Sequence, residues 1–260
     1  MILLACAVWL GLVIFLSNLI TRLMTTATSG FFFRLVIFPG VLVHELSHYV
    51  MCKLTGAKVV ELKLFEKQQA GGQTVYGGHV THGPSKLPLI GDPLISFAPV
   101  FGCLGVMALL TWAAGDPLEF HNHPAKNQEF KVAPLSNLTS IVQGVTYVIW
   151  NLPAHVRDHA TEWKFWGYLY LTISLSVALA PSKQDFANSY RHFWRHFLKF
   201  LLAAAIVFLV LYLAGSLVSS LTNALIPYLV GVFAFTLSIL TVTLLLAWLI
   251  NLLMGFLRRR

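Results

Sequence analysis

Long apolar runs separated by polar connections dominate the chain. Ile2–Ile20 is uncharged and apolar. Phe31–Leu54 is apolar apart from Arg34 near its start, Lys53 near its end and the cluster His44, Glu45, His48 inside it. Pro93–Ala114 carries no charge between Asp92 and Asp116, and Phe165–Pro181 carries none between Lys164 and Lys183. Each run falls in the range of roughly 17–25 residues that a helix needs to cross a bilayer. From Phe200 to Leu257 there is no charged residue at all. As one helix that stretch would extend about 87 Å, far beyond the hydrocarbon thickness. It is therefore expected to fold back, with Asn223 and Pro227 marking the turn. The pattern predicts an all-α polytopic membrane protein in one domain over 1–260. Its six transmembrane helices are expected near 2–20, 31–54, 93–114, 165–181, 199–221 and 228–256.

The two long connections differ in pattern. The first holds the alternating run VVELKLF (Val59–Phe65), then Gly71, Gly72, Gly77 and Gly78. Alternation bounded by glycines predicts a small β-hairpin or sheet over about 59–82. The second, about 116–164, contains Leu138–Leu152, apolar enough to lie at the membrane surface but rich in Thr, Ser, Gln and Asn. It is expected to be extramembrane or interfacial, with a re-entrant or crossing segment as the alternative.

Composition agrees with the pattern. Hydrophobic residues make up 57% of the 260 residues and charged residues 11%. That is less than half the roughly 25% charge of an average soluble domain, which excludes both a soluble globule and a disordered chain. The formal charge of +8 does not point to nucleic acid, because most basic residues flank apolar runs and set topology. With the N-terminus inside, twelve basic residues fall on one side and six on the other. Both termini are thus expected in the cytoplasm of a multi-pass protein of the cell membrane. No basic residue precedes Ile2–Ile20, so it reads as a retained span rather than a cleaved signal. Cys6, Cys52 and Cys103 are scattered and read as inert buried thiols.

Chemistry concentrates in VLVHELSHYV (Val41–Val50), which contains His44-Glu45-x-x-His48. On a helix, positions i and i+4 share a face, so both imidazoles can reach one metal ion. Glu45 is offset by about 100° and can reach a water beside the metal. Ionisable groups inside a span cost about 2.5–3.5 kcal/mol each on insertion scales, which marks this cluster as functional. One Zn2+ per chain is the expected cofactor, with a third protein ligand and an open position for water. Asp185, just past the fourth run, falls on the same side and at similar depth as the motif. Asp92, at the start of the third run, is the other candidate. A capping aspartate is the competing explanation of Asp185.

The chain resembles the site-2 protease family of intramembrane zinc metalloproteases. Three places carry the likeness: HELSH in an early span, the glycine-rich strand after it, and a later span ending in an aspartate. SFAPVFG (Ser96–Gly102) is similar to a Gly-Pro motif of that family, and Asp185 stands in Gln-Asp-Phe where the family usually has Leu-Asp-Gly. The resemblance implies His44, His48 and Asp185 as zinc ligands and Glu45 as catalytic base. It also implies that Gly77, Gly78, His79, Val80, Thr81 and His82 form an edge strand holding an unwound substrate by β-augmentation. His79 or His82 as a ligand is a further possibility.

The expected function is an intramembrane zinc endopeptidase acting in or near transmembrane segments of membrane-protein substrates, with its active site toward the cytoplasm. Its partners would be a transmembrane protein substrate and the lipid bilayer, without nucleic acid. The alternative is a non-proteolytic zinc-binding membrane protein: a transporter, a sensor or an inactive protease relative. A third reading takes Glu162 or Glu129 as the third ligand. The pairs His121/His123 and His155/His159 read as solvated or headgroup-facing, and YRHFWRHFLKF (Tyr190–Phe200) as an interfacial anchor to anionic lipid.

Overall fold

The computed structural model describes residues 2–27, 30–70, 73–87, 89–115, 117, 134–202, 205–206 and 215–257. Its order is α1 (Ile2–Ala27), α2 (Gly30–Thr55), β1 (Val59–Ala70), β2 (Gln73–His82), α3 (Gly91–Ala113), α4 (Pro134–Asp158), α5 (Trp163–Ala178), α6 (Lys183–Arg195) and α7 (Gly215–Leu257). Among the described residues, three segments are long and apolar enough to cross a membrane: Arg34–Thr55, Gly91–Ala113 and Ala234–Phe256; Val8–Met24 is a shorter apolar helix. The described residues are mostly helical with one small antiparallel sheet, and the apolar helices are consistent with an integral membrane protein.

The core is shared by α1, α2, α3, α5 and α7, through Val13 and Ile20, Ile37, Val100 and Met107, Leu175, and Ile239 and Leu240. Large apolar side chains also face outward, among them Phe15, Leu109, Trp112, Trp150 and Trp248. Removing such a side chain from water is worth roughly 1.5–3 kcal/mol, so this surface is built for lipid. Small residues let α2 lie close to its neighbours. A Cβ at Gly40 would overlap the backbone of Ser174 in α5, and one at Gly102 of α3 would overlap the Ser47 hydroxyl of α2.

The C-terminus of α2 launches the hairpin. Gly56 has φ 71°, its N–H reaches Lys53 O at 3.3 Å, and the Ala57 N–H reaches Cys52 O at 2.8 Å. This is a Schellman stop, which needs a left-handed residue that glycine supplies without a Cβ penalty. The strands pair antiparallel from Val59↔His82 to Ala70↔Gln73, with register shifts at Val59/Glu61 and Lys63/Glu66. After β2 the chain returns to the end of α2, where the Lys86 N–H and the Ser85 hydroxyl both bond Thr55 O at 3.1 Å. The hairpin is thus anchored to the helix that carries the HExxH motif.

Two expectations are corrected, the turn in the last apolar stretch and the exposure of His155. The turn at Asn223 and Pro227 is absent, because α7 runs unbroken through both residues. Proline removes one backbone N–H, and apolar helices tolerate that. Part of the expected fifth span (207–214) lies outside the described residues. The second connection contains a full 25-residue helix, α4, packed against α7 and joined to α5 through Leu152, Val156 and Phe165. His155 is buried rather than solvated, because it shares a helix face with Val148 and Leu152. His121 and His123 lie outside the described residues.

Candidate metal centre

His44 and His48 sit one turn apart on α2, ring centroids 5.0 Å apart. Each ring is fixed by its Nδ1. His44 Nδ1 lies 2.6 Å from Ala178 O, and His48 Nδ1 lies 2.7 Å from Ile95 O. A carbonyl oxygen only accepts, so each Nδ1 carries the hydrogen and each Nε2 presents a lone pair. Hydrogen bonding to the distal nitrogen is what orients metal-binding histidines.

Both carbonyls are free for local reasons. Ala178 is the last residue of α5, and the final four carbonyls of a helix have no intrahelical donor. Ile95 lies four residues before Pro99 inside α3, and proline has no N–H to offer Ile95 O. Pro39 acts alike in α2, where the freed Leu35 O accepts the Tyr170 hydroxyl at 2.6 Å. Pro39-Gly40 is therefore a packing feature of α2, with the Gly40 N–H bonded to Ser174 Oγ at 2.8 Å.

Asp185 joins the two rings from α6. Its Oδ1 is 3.5 Å from His48 Nε2 and its Oδ2 is 4.0 Å from His44 Nε2. Asp185 also caps α6, from position N3. Its Oδ2 accepts the Ser182 N–H at 2.8 Å, and Ser182 Oγ accepts the Asp185 N–H at 3.1 Å, a complete capping box. The box fixes the carboxylate through Oδ2, and Oδ1 is left to face His48.

Among the described residues, His44, His48 and Asp185 form the group with three ligand atoms within 4.8 Å of one another. Ligands on a tetrahedral zinc stand about 3.3 Å apart. Two Nε2 lone pairs and one carboxylate at these separations suit that ion. Asp92 is engaged elsewhere, through His192 Nδ1 at 3.0 Å and the Ser85 N–H at 3.0 Å. His79 pairs with Glu61 and Glu66 on β1, and His82 Nδ1 bonds Gly83 O. Glu162 bonds His159 at the opposite end of α5, roughly 24 Å of helix away from Ala178. Glu129 lies outside the described residues.

Glu45 is buried, 6% exposed. The β2 backbone closes over it: a Cβ at Gly78 would overlap Glu45 Cγ and come within 2.7 Å of Leu64 O and Lys63 O. Gly78 is therefore required where the strand crosses the carboxylate. A support that the sequence did not reveal is Ser17 of α1, fully buried. Its hydroxyl donates to Ser176 O at 2.9 Å and accepts the Ala180 N–H at 3.2 Å. It thereby holds the end of α5 on either side of Ala178.

Residues 39–116 match the family model described as Peptidase M50B-like. That segment takes in the HExxH motif, the hairpin and α3, and ends before Asp185. No curated protein and no solved structure matches the chain.

Proposed function

The chain belongs to the site-2 protease family through residues 39–116, and we propose that it is an intramembrane zinc endopeptidase. The observation that carries this reading is the convergence of two oriented imidazole Nε2 atoms and the Asp185 carboxylate beside a buried glutamate. Zinc, when bound, supplies a Lewis acid for the scissile carbonyl and lowers the pKa of water to about 7. His44, His48 and Asp185 hold it. Glu45 takes the proton of the attacking water and delivers it to the leaving amine as the C–N bond breaks.

A helical peptide bond is hydrogen-bonded internally and shielded, so the substrate must unwind. Strand β2 offers an edge on which an extended segment gains backbone hydrogen bonds, and Gly78 lets that edge approach Glu45. The lipid-facing helices keep the site within reach of transmembrane segments. The connection between α2 and α3 carries Lys53, Lys58, Lys63, Lys67 and Lys86, which by the positive-inside rule puts the end of α2, and with it the site, toward the cytoplasm.

The reading is tested by incubating the full chain with transmembrane peptides in detergent or bilayers, with zinc or with chelator. Mass spectrometry of the products is expected to show cuts in or beside the apolar segment, abolished by chelation and restored by zinc. Cleavage indifferent to chelation, or its absence from a broad peptide panel, overturns it.

A further inference from the structure

A cleft of about 290 Å³ lies where the end of β2, the first turns of α3 and one face of α6 meet; its walls include His82, Asp92, Ser96, Arg191, His192 and Arg195. Its charge is uneven. The carboxylate in the wall, Asp92, is already engaged by His192 and by the Ser85 N–H. Arg191 bonds neutral oxygens, Ala187 O at 3.3 Å and Asn188 Oδ1 at 3.1 Å. Neither Arg191 nor Arg195 has a carboxylate within ion-pair distance among the described residues. Two guanidinium groups one helical turn apart thus face the cleft without a counter-ion, which is a setting for a carboxylate or phosphate.

The position of the cleft favours a peptide carboxylate. Two independent rulers relate it to the metal centre. Along β2, His82 in the cleft wall lies four residues, about 13 Å, from Gly78 over Glu45. Along α6, Arg191 and Arg195 lie about 9 and 15 Å from Asp185. An extended segment on the β2 edge, with its scissile bond at Glu45, therefore brings a residue about four positions away to the arginine pair.

We propose that this cleft is a substrate subsite for an acidic side chain, Asp or Glu, about four residues from the scissile bond. The proposal rests on the peptidase reading for its register, and its test reads binding separately from cleavage. Full-length Glu45→Gln protein in detergent micelles is titrated with a series of otherwise identical fluorescent transmembrane peptides. A single Glu, or Gln as control, is moved stepwise along them. Affinity is expected to rise about tenfold for Glu over Gln in a narrow register. In Arg191→Gln/Arg195→Gln protein that preference is expected to fall below about twofold, with Gln-peptide affinity unchanged.

Arg191→Lys/Arg195→Lys, which keeps the charge, is expected to retain part of the preference and guards against a folding defect. No register preference, or one that survives both arginine changes, overturns the subsite. So does arginine-dependent binding of phosphatidylglycerol vesicles without a Glu preference, which would make the cleft a lipid phosphate site. A Glu preference in binding without cleavage by the zinc-loaded wild type leaves the cleft standing and removes the peptidase. Cleavage without a Glu preference does the reverse.

Discussion

Pro99 deletes one N–H from α3, and His48 uses the acceptor that this leaves. Pro99→Ala restores a competing donor to Ile95 O. Proline in a helix interior costs about 3 kcal/mol, so the variant is expected to unfold at a temperature equal to or above the wild type. Its zinc affinity is nevertheless expected to fall by about 10–100-fold, the usual loss when a supporting hydrogen bond to a ligand is weakened. Chelator competition and thermal unfolding on one preparation check the opposite signs; unchanged affinity contradicts the role. Gly78→Val pushes β2 off Glu45. A displacement of about 1 Å at a catalytic group can cost 10²-fold, so cleavage is expected to drop by about that factor while zinc content stays the same. The HExxH pair was legible because helical i, i+4 spacing is a local rule. The carbonyls that aim its rings were not, because backbone atoms leave no residue signature and only Pro99 hinted at a free one.

At the scale of elements, α1 steadies the metal centre without touching it. Ser17→Ala frees the end of α5 that bears Ala178 O. It is expected to weaken zinc binding about tenfold, with recovery in Ser17→Thr, measured by chelator competition. The hairpin has its own polar clasp of Lys63, Glu61, Glu66 and His79. Lys63, and after it His79, holds the Glu61 carboxyl below its usual range, while Glu66 and Glu61 raise the Lys63 ammonium. A lowered carboxyl contributes above its unfolded value and is lost as pH falls through the folded one. A raised ammonium contributes below its unfolded value and is lost as pH rises through the folded one. The protection factors of the hairpin amides, with the intrinsic pH dependence of exchange divided out, are therefore expected to be flat between roughly pH 5 and 9 and to fall beyond either limit, by little, because these groups are solvent-exposed. The hairpin was readable from alternation and glycines, and Asp185 from the depth of its run. The continuity of α7 was not readable, since a single proline signals a turn and a tolerated helix position equally well.

At the scale of the molecule, apolar composition, outward-facing tryptophans and a shared helical core suit a membrane protein, with one candidate metal centre among the described residues. Distant segments build that site: α2 supplies His44, His48 and Glu45, α6 supplies Asp185, α3 and α5 the aiming carbonyls, and β2 the cover over Glu45. Sequence pattern located the functional side chains, whereas their convergence depends on contacts between residues as much as 163 apart. The most direct test compares zinc-loaded wild type with Glu45→Gln on one transmembrane peptide, reading zinc content and product termini together. Both proteins are expected to hold one zinc per chain, with cleavage in the wild type and none above background in the variant. Cleavage by Glu45→Gln at the wild-type rate would contradict the account.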